Sequence, residues 1–129
     1  MAIIGIIGGS GLDDPDILKD SMDVEAITSY GEASAPLRHG TIDGAGVFLL
    51  ARHGREHTIP PSQVNYRANI QALADQGCTH IVATTAVGSL RKEIGRGDLA
   101  ILDQFIDFTR HRQNTFYDQF EPHRPLHVS

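Results

Sequence analysis

One cysteine, Cys78, is all that the 129-residue sequence holds, which excludes an internal disulfide framework. Positive charge is also scarce: 11 Lys and Arg stand against 16 Asp and Glu, a formal net charge of -5 with a pI near 5.7. General affinity for nucleic acid or anionic membrane needs a basic face, so both classes of partner are excluded. No apolar run approaches the length that crosses a bilayer. The opening "MAIIGII" has neither the positive stretch nor the long apolar core of a secretory leader. These absences predict a cytoplasmic protein whose partners are small molecules or other subunits. What is present is ordinary for one globular domain, at 40% hydrophobic and 21% charged residues without repeat, low-complexity tract or linker.

Along the chain, residues 3–8 form a short apolar run stopped by glycine, the pattern of a strand buried on both faces. Asp14 and Pro15 read as the cap and first position of a short helix or turn over 15–19. Two strand-like runs between 36 and 51 flank "DGAG", and Asp-Gly is the chemistry of a tight hairpin. "RHGREHTIPPSQ" lacks an apolar period and reads as a loop. A helix is predicted from a Ser62 cap to about Gln76, because Tyr66, Ile70 and Leu73 repeat at helical spacing and Gly77 suits the position past its end. "HIVATTA" reads as a buried strand, "VGSLRKEIGRGD" as a turn-rich connection and "LAILDQFID" as a further strand. Strands alternating with helix predict an α/β fold, a mixed central sheet flanked by helices.

Three clusters end apolar strands in hydrogen-bond donors. In "IIGIIGGSGLDD", a dinucleotide reading from Gly9 meets Gly11 but finds Asp14 where a third glycine belongs, and no P-loop lysine motif exists in the chain. The remaining readings are a tight turn with no ligand, or a "GGSG" cradle in which backbone N–H groups and the Ser10 hydroxyl approach an anion. "ARHG" sets Arg52 and His53 at a strand terminus, where open α/β sheets gather ligands. A guanidinium suits phosphate through two parallel charge-assisted bonds, although a surface arginine beside a packed histidine reads the same way. "TTAVGSL" offers the Thr85 hydroxyl and the Ala86 N–H, or simply a turn after a core strand. Together the three suggest a dianion held by two backbone loops and one arginine. A metal at His53 and His57 is disfavoured, since "GREHTIPP" is poor helix sequence with no third ligand nearby. No carboxylate pair suggests a glycosidase, G-x-S-x-G is absent, and Cys78 reads as a structural thiol.

The segments "IGIIGGSGLDD", "LLARHGREHTIPPSQVNYRANIQAL", "GCTHIVATTAVGSLR" and "DQFIDFTRHRQNTFYD", in this order, closely resemble the N-terminal half of S-methyl-5'-thioadenosine phosphorylases. These belong to the trimeric branch of the purine nucleoside phosphorylases, whose signature is matched from G-x-x-H-T-I through T-A-x-G-S-L. The resemblance implies phosphorolysis of methylthioadenosine to adenine and 5-methylthioribose 1-phosphate, with inorganic phosphate as co-substrate and no cofactor. It implies phosphate contacts from Ser10, Arg52, His53, Thr85 and Ala86, with serine at position 10 in place of the threonine common in the family. It also places His57 and His127 near the ribose and its 5'-thiomethyl end, and implies a homotrimer or a multiple of trimers. The family's purine-recognising acids have no counterpart here, so residues 1–129 are expected to be the N-terminal part of one phosphorylase domain, with an open sheet edge and exposed apolar surface. Rival readings are a methylthioinosine or 6-oxopurine nucleoside phosphorylase, and a non-catalytic phosphate-binding module.

Overall fold

A computed structural model describes residues 2–9, 15–120 and 122–124. Its centre is a five-stranded sheet in the order β2-β5-β6-β1-β7, built from β1 (Ile4–Gly8), β2 (Lys19–Val24), β5 (Leu37–Ile42), β6 (Ala45–Ala51) and β7 (His80–Ala83). A single 3-10 turn, Pro15–Ile17, stands where a short helix or turn is predicted. The strands β3 (Ile27–Thr28) and β4 (Gly31–Glu32) form a separate small hairpin. β2 with β5 and β5 with β6 run antiparallel, whereas β1 lies parallel to both β6 and β7, so the sheet is mixed. The predicted hairpin forms around Asp43 and Gly44, both at positive φ (49° and 81°), the backbone of a type I′ turn.

Strand alternation divides the core between the two faces of the sheet. Phe48 and Leu50 of β6 point to one face with Ile7, Leu37, Ala72 and Leu73, while Val47 and Leu49 point to the other with Leu18 and the half-buried Ile4, Ile6 and Ile42. β1 and β6 are thus covered on both sides, as their unbroken apolar runs predict.

The helix α1 spans Tyr66–Asp75 and is capped by Asn65, not Ser62. Asn65 Oδ1 accepts from Ala68 N–H at 3.1 Å, and its Nδ2 donates to the Tyr30 carbonyl at 2.8 Å. Ser62 is displaced from the cap because the chain first turns at Pro60, whose carbonyl accepts from Gln63 N–H. The buried stripe is Ala68, Asn69, Ala72 and Leu73, with Ile70 left exposed, one position off the apolar period. Small alanines let the helix approach the β3–β4 hairpin, and Asn69 is satisfied there by Ser34, accepting from its N–H at 2.8 Å and donating to its hydroxyl at 3.0 Å. The helix ends in a Schellman turn: Cys78 N–H donates to the Leu73 carbonyl and Gly77 N–H to the Ala74 carbonyl, with Gly77 at φ 75°.

Two strand predictions are corrected. "HIVATTA" forms a strand only over His80–Ala83, and all four residues are exposed, because no described segment pairs with its outer edge or covers its faces. "LAILDQFID" forms no strand: Leu99, Ile101, Leu102, Phe105 and Ile106 lie exposed, since an apolar run becomes a strand only where a ladder partner meets it. The expected open edge and exposed apolar surface are therefore present. β2, β3 and β4 were not foreseen, β2 because "KDSMDV" is a largely solvated edge strand with no apolar alternation.

Candidate functional site

Three parallel strands end together. In the β1 ladders Gly8 stands opposite Ala51 and Ile7 opposite Ala83, so Gly9, Arg52 and Thr84 all lie at the carboxyl edge of the sheet. The chain passes from β1 to β6 on one side and crosses to β7 on the other, which makes the end of β1 the switch point where such sheets bind ligands. Main-chain bonds continue each ladder by one residue: Arg52 N–H donates to Gly8 O at 3.1 Å and Thr84 N–H to Ile7 O at 3.0 Å.

At this edge the Arg52 fork is fixed on two sides. Nη1 donates to the Thr84 carbonyl at 2.9 Å, and Nε donates to His53 Nε2 at 3.3 Å. The His53 ring is itself held, with Nδ1 at 2.9 Å from the Ile59 carbonyl. A carbonyl can only accept, so Nδ1 carries the proton and Nε2 presents its lone pair to Arg52. The rest of the guanidinium's N–H groups have no partner among the described residues, and a half-buried cation with unspent donors is equipped for an anion.

Gly9 makes this placement possible. A Cβ on Gly9 would stand 2.6 Å from Arg52 Nη2 and 3.3 Å from the Thr84 carbonyl, so the guanidinium packs directly over the glycine backbone. Gly9→Ala is expected to displace the fork, which can swing at little cost to the fold. Affinity for inorganic phosphate should fall about tenfold, read by calorimetric titration, with the thermal midpoint nearly unchanged.

The loop after Arg52 closes on itself. Gly54 N–H donates to Ala51 O, His57 N–H to Gly54 O and Ile59 N–H to His53 O. Gly54 sits at φ 78°, a left-handed turn that glycine adopts without strain. His57 is exposed on this loop at φ 53°, following the turn that carries His53.

Of the sequence-derived candidates, the fold brings Arg52 and His53 into one bonded pair and sets Thr85 and Ala86 directly after Thr84 on an exposed connection. His57 shares the loop of His53. Ser10 and His127 lie outside the described residues. Sequence reasoning placed Gly9 and Thr84 inside the "GGSG" and "TTAVGSL" clusters but did not single them out as the two groups that seat the arginine. No residue-type signal pointed to them, since Thr84 acts through its main-chain carbonyl and Gly9 through the lack of a side chain.

No metal-ligating cluster of three His, Cys, Asp or Glu occurs among the described residues. Burial pushes the Cys78 thiol up, which suits a structural thiol. A cavity of about 300 Å³ opens between the start of α1 and residues 111–113, away from the strand ends. Two pairs of its walls bond to one another, Arg112 donating to the Tyr66 hydroxyl and Arg67 to the Gln113 side-chain oxygen; Arg67 also donates to Asp118 outside the cavity, and its buried Nε has no partner among the described residues. The strand-end cluster is the candidate site.

Residues 3–129 match the phosphorylase superfamily. The chain belongs to that superfamily. Within it the chain is similar to the S-methyl-5'-thioadenosine phosphorylases of Danio rerio, at 57% identity over 115 residues, and of Drosophila melanogaster, at 59% over 115 residues. Each match covers 89% of this chain, but 41% and 40% of the relative, so the chain spans about two fifths of the length of these relatives. Among solved structures, the apo methylthioadenosine phosphorylase of Schistosoma mansoni superposes with a TM-score of 0.87 at 48% identity, covering 93% of this chain and 43% of that one. The same enzyme in complex with tubercidin gives 0.84 at 49% identity, covering 91% and 41%. The mixed sheet of this superfamily member is thus that of a purine nucleoside phosphorylase, present in part. No described helix is long and apolar enough to cross a membrane.

Proposed function

We propose that this chain, as the N-terminal part of a single phosphorylase domain, supplies the phosphate side of an S-methyl-5'-thioadenosine phosphorylase site. The observation that carries the reading is the Arg52 guanidinium, seated on Gly9 and fixed by Thr84 and His53 where three parallel strands end. Similarity to enzymes named for this reaction supports the substrate, methylthioadenosine.

In the reaction a phosphate oxygen forms a bond to the anomeric carbon as the bond to the purine nitrogen breaks. The electron pair leaves with the base, which takes up a proton, and the products are adenine and 5-methylthioribose 1-phosphate. The departing base gives the sugar oxocarbenium character, which a fixed phosphate dianion stabilises and then attacks. Arg52 supplies the charge for holding that dianion. His53 acts on it through the guanidinium and at close range, Ser10 and Thr85 add hydroxyls, and Ala86 adds its N–H. His57 and His127 are assigned to the ribose and its 5'-thiomethyl end. Assembly as a homotrimer or a multiple of trimers, in the cytoplasm, belongs to the same reading.

Phosphorolysis of methylthioadenosine, methylthioinosine and inosine, compared with and without phosphate, tests it. Phosphate-dependent release of adenine from methylthioadenosine is the expected result, and cleavage of inosine alone would overturn the substrate assignment. Phosphate binding without turnover of any of the three would identify a phosphate-binding module instead.

A further inference from the structure

Asp23 lies on the solvated edge strand β2, remote in sequence from Arg52, His53 and Thr84. Its carboxylate is nonetheless fully engaged. Opposite it in the ladder, Arg38 of β5 donates from Nη1 to Oδ1 at 2.8 Å and from Nε to the Ser21 hydroxyl at 3.0 Å. From the other side Arg55 grips both carboxylate oxygens, Nη1 to Oδ2 at 2.9 Å and Nη2 to Oδ1. Arg55 stands inside the second turn of the loop, between Gly54 and His57.

The main-chain bonds of that loop close it on itself, and His57 within it occupies a left-handed conformation at φ 53°. A non-glycine residue in that region persists when the surroundings over-determine it. The fork-to-fork pair with Asp23 is a long-range side-chain bond from the loop to the sheet, and a bidentate geometry fixes direction as well as distance. Arg38 holds the carboxylate in place by binding Oδ1.

We infer that Asp23 is a positioning residue for the phosphate site, acting through Arg55 to hold the loop that aims the His53 ring at Arg52. The inference rests on the phosphate-binding reading of Arg52. The two guanidinium groups hold the Asp23 carboxyl well below the usual carboxylate range, so the clamp stays charged at neutral pH. Because the pair is exposed on both sides, its contribution is to loop order more than to global stability.

The test titrates the protein with inorganic phosphate by calorimetry and follows the His53 ring nitrogens by NMR, for wild type, Arg52→Ala, Asp23→Asn, Asp23→Glu and Arg55→Gln. Asp23→Asn and Arg55→Gln are each expected to weaken phosphate binding about two- to fivefold and to broaden the Nδ1–H signal, with Asp23→Glu restoring part of both. Arg55→Gln lies on an exposed loop and keeps the test open if Asp23→Asn fails to fold. Wild-type binding that is lost in Arg52→Ala but unchanged in Asp23→Asn and Arg55→Gln would overturn the clamp and leave the phosphate site standing. Equal absence of phosphate binding in wild type and Arg52→Ala would overturn the functional reading and the clamp with it.

Discussion

Arg52→Ala is expected to raise the dissociation constant for inorganic phosphate roughly a hundredfold while leaving the fold intact. The wild-type fork spends Nε on His53 and one Nη1 donor on the Thr84 carbonyl, so its remaining donors are already oriented before an anion arrives. Loss of the side chain removes a charge and two directed hydrogen bonds at once, and charge-assisted bonds are the strong ones. The groups it leaves behind, a half-buried imidazole and a main-chain carbonyl at a strand end, can turn to water. Arg52→Lys is the informative companion, because it keeps the charge and loses the planar fork. An affinity between those of wild type and alanine would show that geometry contributes beyond charge. Titration calorimetry with phosphate reads both variants, and an unchanged constant in Arg52→Ala would remove the site from the strand ends.

The largest effect on stability is expected at Leu73. Its side chain is fully buried on the helix face of the sheet and fills the space over β1, where a Cβ on Gly5 would stand 2.9 Å from Leu73 Cδ1. The strand lacks a side chain at the point where the helix inserts one. Leu73→Ala would leave a hollow lined by Ile7, Leu50 and the Gly5 backbone that rigid strands close poorly, at a cost of about 2–5 kcal/mol. Against the total stability of a small domain, about 5–15 kcal/mol, that is a large fraction. Denaturant unfolding should show a marked fall in the midpoint, and Leu73→Met, which keeps the volume, should lose less than about 1.5 kcal/mol. A loss in Leu73→Ala no greater than in Leu73→Met would mean that the helix is not packed through this residue.

The core strands were legible because their signals are local. "IGIIG" and "VFLLA" are apolar at every position or interrupted only by glycine, and each is buried on both faces. Asp43-Gly44 and Gly77 predicted their turns for reasons internal to each backbone. Local reasoning failed where the outcome depends on what lies alongside. Ser62 and Asn65 are both good caps, and the turn at Pro60 decided between them. "LAILDQFID" has a strand's composition and no ladder partner among the described residues, whereas "KDSMDV" has little of that composition and became a strand because β5 offered it a ladder.

The candidate site divides in the same way. Residue types and the strand ends after which they fall are properties of the chain read in order, and they pointed to an anion, to Arg52 and to His53. By itself the sequence determined the α/β class and the apolar strands of the core, since apolar runs and turn residues act over a few residues, and its guanidinium chemistry suggested an anion. Tertiary structure alone decided that Gly9, Arg52 and Thr84 meet, and that Asp23 reaches Arg55 from 32 positions away. These contacts depend on the register of parallel strands and on a crossing connection, and neither leaves a trace in any short stretch of the chain.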